Sequence, residues 1–165
     1  MKHLALITLM PVLLFINCNK TANLSGDYCV CKINGQKWQA GCNGLFSDCL
    51  SATWSDHKRG FVLTCQNNAS QIVTIVLYDS IIGLTSGTYI LNKDYTSDCA
   101  QYRDYNKSYH YSYNTDSVYT GIISIKFDSS GARVSGSFSF KAVYDLNNET
   151  VTVSEGQFSL PCLIE

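Results

Sequence analysis

The sequence predicts an all-β fold, either an antiparallel sandwich or a partly closed barrel of about 8–9 strands. Apolar and polar residues alternate with a period of two through most of the chain after residue 27, and no window has the period of a helix. Asn, Gly, Asp and Ser separate the alternating stretches, as expected for turns between antiparallel strands. We therefore assign residues 27–165 to a single β domain.

The first two strands are predicted to form a hairpin. Residues 28–33 and 36–40 flank Asn34 and Gly35. Both turn residues accept the positive φ that a two-residue hairpin turn requires. The sequence therefore fixes the position of this turn.

A second hairpin is predicted after an irregular stretch. Residues 41–60 are rich in Gly, Cys and Asp and carry no clear alternation. Residues 61–66 and 71–78 then alternate around an Asn-Asn-Ala turn. The strand over 71–78 is rich in β-branched residues, which favours a central place in the sheet.

The last part of the chain is predicted to be a three-stranded meander. A short strand over 87–91 precedes a polar, tyrosine-rich stretch over 92–117. The meander follows at 118–127, 133–144 and 150–160. Alternation directs Ser and Thr to the opposite face from its core residues. The predicted core residues are Ile123, Ile125, Phe127, Val134, Phe138, Phe140, Val151, Val153 and Phe158.

The N-terminal segment has the layout of a secretory signal. Lys2 precedes an apolar stretch over residues 4–16. That stretch is shorter than the about 20 apolar residues that a membrane-spanning helix needs. Ordinary signal cleavage nearby is one outcome, although no small-x-small pattern precedes Cys18.

The end of this segment resembles the lipobox of bacterial lipoproteins. Cys18 follows the apolar stretch directly, with Asn17 and Phe15 where a small residue and Leu are usual. The resemblance implies removal of residues 1–17, acylation of Cys18 and a tether over 18–26. More than one acyl chain would hold the protein stably on a membrane. We therefore expect a lipid-anchored protein of the cell envelope, on the outer membrane, with the membrane face left open.

The charge balance argues against nucleic acid as a partner. The chain has 12 Lys and Arg against 13 Asp and Glu, a net charge of −1. The positive charges are scattered and form no basic stripe. No lysine-rich patch favours direct binding to a membrane surface either, so the predicted membrane contact is the lipid.

The chain has eight cysteines, which is high. If Cys18 carries lipid, an odd number remains, and at least one lacks an intrachain partner. In an exported chain the remaining cysteines are disulfide candidates. These are Cys29, Cys31, Cys42, Cys49, Cys65, Cys99 and Cys162.

Sequence spacing favours one disulfide and leaves the others open. Cys42 and Cys49 are our best single pair, because the Asn-Gly sequence between them allows a tight loop. Cys29 and Cys31 alternate along one strand, so both face the same side and need partners on neighbouring strands. A thiolate metal site from these four cysteines matches no common zinc spacing. We therefore predict no metal or cofactor, and a redox role for Cys29 and Cys31 remains a minor alternative.

Six of the eleven tyrosines fall within residues 102–119. Three of them alternate, so one strand face would present three rings, a surface that suits a glycan, a peptide or an envelope protein. A half-buried edge strand explains the same pattern without a ligand. The predicted contact residues are Tyr109, Tyr111, Tyr113, Arg103 and His110.

Catalytic and ion-binding candidates are weaker. His57 could activate Cys49 or Cys65, but disulfide cysteines and a loop histidine are the simpler explanation of these residues. Asp94 and Asp98 could bind calcium, and solvated turn carboxylates are the simpler explanation. No catalytic residue is therefore assigned.

Several segments resemble a group of Bacteroidota lipoproteins of unknown function. Their mature domain begins with Ile-Asn-Gly-x-x-Trp-x-Ala, as residues 33–40 do here. Further segments resemble the group in the same order: residues 87–91, 121–127, 134–140 and 151–158. The cysteine count differs, and Glu155 stands where a small or amide residue is commoner. Because the group has no established activity, the resemblance implies fold and location only.

We rank three functions for the β domain. The first is non-catalytic binding of a ligand or partner. The second is an unrecognised hydrolase or thiol enzyme. The third is a purely structural envelope module. A deep cleft with a histidine beside Cys, Asp or Glu would favour the enzyme, and a shallow lined surface would favour binding.

Overall fold

The computed structural model describes residues 26–41, 49–55, 60–78, 85–92, 98–107 and 111–164. All regular elements in these ranges are strands, so the all-β prediction is confirmed. Within them, no helix has the length and apolar character needed to span a bilayer. The signal over 1–17 and most of the tether lie outside these ranges, as do six predicted site or ion-binding residues: Cys18, Cys42, His57, Asp94, Tyr109 and His110.

Twelve strands are present in the described ranges, more than the number predicted. In chain order they are β1 Tyr28–Ile33, β2 Gln36–Gln39, β3 Leu50–Ser55, β4 Gly60–Gln66, β5 Gln71–Tyr78, β6 Gly87–Leu91, β7 Cys99–Asp104, β8 Ser112–Asn114, β9 Gly121–Phe127, β10 Arg133–Tyr144, β11 Glu149–Pro161 and β12 Leu163–Ile164.

The strands form a single sheet. Its main path runs β12-β3-β4-β5-β7-β8-β10-β11-β1-β2, and β9 branches from β10 with β6 on its far side. All pairings are antiparallel except that of β12 with β3. The predicted central strand, β5, lies between β4 and β7. The last three long strands form the predicted meander, β9-β10-β11.

The sheet curls until its two ends approach each other, as a half-barrel. The amide of Gly41, just after β2, donates to the carbonyl of Gln66 at the end of β4, with N and O 2.9 Å apart. The ring of Phe61 on β4 meets Phe127 on β9 edge to face, with centroids 6.5 Å apart. The inner face is therefore enclosed by strands from both ends of the sheet.

The core fills this enclosed face. Every position predicted to face inward on β9, β10 and β11 is buried, except Phe127, which is half-buried against the same cluster. Cys29 and Cys31 are both buried on the inner face, as their alternation predicts. The outer face of the meander carries the predicted serines and threonines.

The first hairpin has the predicted turn. Asn34 and Gly35 adopt φ of 48° and 81°. The Asn34 side-chain oxygen accepts from the amide of Thr152 at 2.9 Å, and the Asn34 amide donates to the Thr152 carbonyl at 2.8 Å. The turn is thus also fastened to the neighbouring strand β11.

A bulge interrupts β11 at Glu155. Phe138 and Phe140 of β10 pair with Gly156 and Val153, so β11 has one extra residue there. Glu155 adopts φ of 53°, which is unfavourable for a side chain of this size. A Cβ on Gly156 would lie 2.5 Å from the ring of Phe138, so the ring packs over this glycine.

Two stretches predicted to be irregular or simply polar contain strands. Residues 41–60 were predicted to be irregular, which is wrong for β3. Its buried position, Ala52, is small, so the apolar alternation of this strand is weak. The tyrosine-rich stretch contains β7 and β8. Polar residues are buried there because they bond to each other: Gln101 Nε2 donates to Asn114 Oδ1 at 2.7 Å, and Gln71 Nε2 donates to Asp104 Oδ2 at 3.2 Å.

Candidate functional site

The tyrosines of β7, β8 and the end of β10 form a cluster on the inner face. Tyr102 and Tyr113 are cross-strand partners with ring centroids 5.8 Å apart. Tyr111 stacks on Tyr144, with centroids 4.5 Å apart and ring planes at 22°. The tyrosine pattern in the sequence does not include Tyr144, which ends β10 far along the chain and joins the cluster only because β10 pairs with β8.

The ammonium group of Lys107 lies against this cluster. Its Nζ donates to Tyr113 Oη at 2.9 Å and to Glu149 Oε1 at 2.5 Å. The same Nζ lies 5.6 Å from the ring centroids of Tyr111 and Tyr113. The hydrogen bond to Glu149 raises the pKa of Lys107, and the bond from Lys107 lowers the pKa of Glu149.

The predicted tyrosine face is only partly brought together in the described residues. Tyr113 is 2% exposed and Tyr111 is half-buried, so most of their surface already contacts this chain. Burial raises the pKa of Tyr113. Arg103 is exposed and alternates with Tyr102, so it lies on the opposite face of the sheet. Ligand contact through this face remains a prediction.

Three predicted disulfide candidates meet inside the core. Cys29, Cys31 and Cys65 are buried thiols. A hydrogen bond with Cys65, followed by burial, raises the pKa of Cys29, and burial raises that of Cys31 to about 12. Such thiols hold little thiolate at neutral pH and are weak nucleophiles.

The other described cysteines, Cys49, Cys99 and Cys162, are also buried. Cys162 is a buried thiol and is the single residue between β11 and β12. Cys49 is buried directly before β3, and Cys99 is buried as the first residue of β7. Because Cys42 lies outside the described ranges, its pairing with Cys49 stays a prediction. Among described residues, no three His, Cys, Asp or Glu side chains are grouped as metal ligands would be.

The outer face of β6, β9, β10 and β11 carries a groove. Two adjoining cavities of about 400 Å³ and 450 Å³ share Ile122 and Ser139 in their lining. We call this surface the outer groove, and its side chains come from Ile90, Ile122, Ser124, Ser137, Ser139, Lys141, Thr152, Ser154, Glu155 and Gln157.

Strand register explains why these side chains share one face. Ser137 pairs with Ser124 on one side and Gln157 on the other, while Ser139 pairs with Ile122. Their chain neighbours Phe138 and Phe140 point into the core. The groove is thus the solvent face of the same strands whose other face makes the core.

The groove combines hydroxyl groups with an apolar rim. Ile90 and Ile122 are cross-strand partners and are 60% and 50% exposed. Beside them, Thr88 Oγ1 and Ser124 Oγ lie 2.8 Å apart in a hydrogen bond. Lys141 holds its Nζ 5.1 Å from the ring centroid of Tyr119. The surface therefore offers donors, acceptors and apolar contact together.

The strained bulge of β11 lies in the wall of the groove. Glu155 pairs with Lys32 of β1, with Nζ and Oε1 2.6 Å apart. This ion pair is exposed, so it contributes little to stability. The sequence signals for this site were the serines on the outer face of β10 and the unusual Glu155, neither of which identifies a ligand.

Comparison with known proteins places the chain in a family. A family model described as a domain of unknown function matches residues 33–160, which includes every strand from β2 to β10 and most of β11. No curated protein and no solved structure matches the chain. The match covers most of the described sheet, including the outer groove and the tyrosine cluster. The chain therefore belongs to the DUF6252 family, a family of domains of unknown function.

Proposed function

We propose that this protein is a lipid-anchored envelope lipoprotein of the Bacteroidota type whose β domain binds a ligand without catalysis. The outer groove is the observation that carries the binding proposal. It spans four strands of one sheet, and its floor is fixed by cross-strand pairing, so it is preformed for a ligand. Acylation of Cys18 would leave the domain beside the membrane on a short tether.

The chemistry of the groove favours a glycan chain as the ligand. Most of the polar side chains in the lining carry hydroxyl groups, Gln157 adds an amide, and the two charged side chains are Lys141 and Glu155. Glu155 is already paired with Lys32. A neutral ligand rich in hydroxyl groups matches such a surface, and the exposed faces of Ile90 and Ile122 can pack against a sugar ring.

The state of the core thiols supports binding over a thiol enzyme. Cys29 and Cys31 are buried, and their pKa values are raised by a hydrogen bond and by burial. A thiol enzyme needs the opposite, an accessible cysteine with a lowered pKa. We therefore assign these cysteines to the structure of the domain.

Blocking the groove tests the binding proposal. Ser139 lines both cavities, so Ser139→Trp should fill their junction. The full chain, in detergent, is tested on an array of immobilised glycans, and the best oligosaccharide is then measured by calorimetry. We expect Ser139→Trp to weaken binding at least about tenfold, which is about 1.4 kcal/mol.

Ser135→Trp is the matched control for this experiment. Ser135 lies on the same strand and face as Ser139 but outside both cavity linings. It should keep glycan affinity. Binding only to peptides, or equal loss in both variants, would contradict a glycan site in the outer groove.

The anchor is tested separately by the intact mass of protein extracted from membranes. Acylation predicts a mass that begins at Cys18 plus its acyl groups. Cys18→Ala should abolish both the added mass and the membrane fraction. A protein that begins elsewhere and carries no acyl group would contradict the lipoprotein proposal while leaving the groove untouched.

A further inference from the structure

Two thiols from different regions of the sheet meet in the core. Cys29 lies on β1, next to one end of the sheet order, and Cys65 lies on β4, near the other end. Both are 0% exposed and belong to the same buried core cluster, and the Cys65 thiol raises the pKa of Cys29. Strands β1 and β4 are not paired with each other, so this contact crosses the interior of the curled sheet.

Backbone hydrogen bonds hold the two cysteines in place from one side. The Ala40 amide donates to the Cys29 carbonyl, and the Gly41 amide donates to the Gln66 carbonyl, both at 2.9 Å. Ala40 and Gly41 are consecutive, and Gln66 directly follows Cys65. Two hydrogen bonds and the Ala40-Gly41 peptide therefore connect Cys29 to the residue that follows Cys65.

We propose that Cys29 and Cys65 form a disulfide bond in the exported protein, and that this bond fastens the curled sheet across its interior. The proposal rests on the proposed export, because oxidising compartments are where disulfides form and persist. Among the described residues, backbone hydrogen bonds also join the two ends of the main path of the sheet. A covalent bond between β1 and β4 would keep the two ends together.

The oxidant for this step is a disulfide, either a small molecule or a protein thiol oxidase. One cysteine thiolate attacks the oxidant disulfide, forms a mixed disulfide and releases the first oxidant thiol. The second cysteine thiolate then attacks the mixed disulfide, forms the Cys29–Cys65 bond and releases the second oxidant thiol. Two protons and two electrons pass from the protein to the oxidant.

Burial sets the time at which the bond forms. In the folded chain both sulfur atoms are inaccessible, and the pKa of Cys29 is raised by its hydrogen bond to Cys65 and by burial. In the unfolded chain the thiols regain an ordinary pKa of about 8.5 and meet the oxidant freely. Oxidation therefore occurs during folding, and the finished bond is protected from reductants.

Cys31 is the competing partner on the same face of β1. It lies two residues from Cys29, and burial raises its pKa to about 12. The backbone hydrogen bonds through Ala40 and Gly41 connect β4 beside Cys65 to Cys29, whereas Cys31 pairs with Trp38 further along the hairpin, so Cys29 is the geometric partner. A bond from Cys65 to Cys31 is thus the specific wrong pairing that an experiment must distinguish.

Oxidative refolding of the full chain tests the pairing. The reduced chain is unfolded in guanidinium, refolded in detergent with reduced and oxidised glutathione, blocked with iodoacetamide and digested. Mass spectrometry should find a peptide pair that joins Cys29 to Cys65. Both cysteines recovered as alkylated thiols in refolded protein, or Cys65 joined to Cys31 instead, would overturn the proposal.

Variants give a second measurement if refolding is incomplete. The oxidised protein should melt roughly 10 °C above Cys29→Ala and Cys65→Ala, and the double variant should match either single one. Dithiothreitol added before folding should remove most of that difference. Cys162→Ala is the control, because Cys162 is a buried thiol whose sulfur bonds to the Leu163 carbonyl. Equal effects of dithiothreitol on all variants would contradict the disulfide.

Disulfide mapping by mass spectrometry on protein purified from cells distinguishes a failure of the pairing from a failure of the proposed export. A bond that forms on refolding but is missing in cells would contradict export and leave the pairing intact. A refolded protein without the bond would contradict the pairing, wherever the protein resides.

Discussion

Gly136 of β10 approaches Ser124 of β9 so closely that a Cβ on the glycine would lie 1.9 Å from the Ser124 carbonyl oxygen. The same Cβ would lie 2.9 Å from the ring of Phe158 on β11. Neither neighbour can move freely, because β9 and β11 are both paired with β10 along this stretch. The meander therefore requires glycine at this position for steric reasons.

Gly136→Ala should destabilise the protein. Forcing a methyl group against fixed backbone strains a packed site by about 1–3 kcal/mol. Gly87→Ala on β6 is the matched control, because its Cβ would meet only the Tyr89 ring, at 3.8 Å. The free energies of unfolding in urea should separate the two variants. Equal stability of both would contradict the close approach.

The Tyr111–Tyr144 stack should contribute to stability as a pair. Stacked aromatic side chains are worth about 0.5–1.5 kcal/mol beyond the area that they bury. We expect a double-mutant cycle with Tyr111→Leu and Tyr144→Leu to give a coupling energy in this range. Tyr89→Leu, on β6 with its hydroxyl bonded to the Thr85 carbonyl, serves as the uncoupled partner. Additive effects of Tyr111→Leu and Tyr144→Leu would show that the rings do not stack.

The Lys107–Glu149 ion pair should make stability depend on pH in two separate regions. The folded pKa of Glu149 is lowered by its bond from Lys107, so its contribution is present above the unfolded pKa of about 4.3. That contribution is lost as the pH falls through the folded value. The pKa of Lys107 is raised, so its contribution is present below about pH 10.4 and lost as the pH rises through the folded value.

Urea unfolding at several pH values tests this dependence. The difference in stability between the protein and Glu149→Gln should be largest from about pH 5 to pH 10 and should shrink in acid. Because the pair is exposed, 1 M salt should weaken the effect. A difference that stays constant from neutral pH into strong acid would contradict the ion pair.

The fold was predictable where one residue type determines the geometry. Asn34 and Gly35 specify a turn with positive φ, and alternation in β9 to β11 specifies which residues face the core. β3 was not predicted from the sequence because its buried residue, Ala52, is small. β7 buries Gln101 and Asp104, which are polar in sequence and become core residues only through partners on other strands.

The candidate site was less predictable because it depends on pairing between distant strands. In the sequence, the hydroxyl residues of the outer groove look like ordinary solvent-facing positions. Only strand pairing brings them together, with Ser137 between Ser124 and Gln157. The contact between Cys29 and Cys65 likewise depends on the curl of the sheet, which local patterns do not encode. The tyrosine pattern was visible in sequence, but Tyr144 and the cation of Lys107 enter the cluster only through the fold.

Glu155 offers a test of whether strain in the β11 bulge serves the outer groove. Its φ of 53° costs a residue with a side chain about 1 kcal/mol, and glycine adopts it freely. Glu155→Gly removes this strain together with the ion pair to Lys32, whereas Glu155→Gln removes the charge and keeps the strain. We therefore expect Glu155→Gly to be about 1 kcal/mol more stable than Glu155→Gln in urea unfolding.

Binding should follow the opposite order. Both variants lack the carboxylate, but Glu155→Gln keeps a side chain in the groove wall that can bond to a hydroxyl group. On the oligosaccharide selected by the glycan array, Glu155→Gln should retain more affinity than Glu155→Gly. A glycine variant that is both more stable and equally tight in binding would mean that the strained residue is not kept for the ligand. A glycine variant no more stable than Glu155→Gln would mean that the bulge holds no strain at this residue.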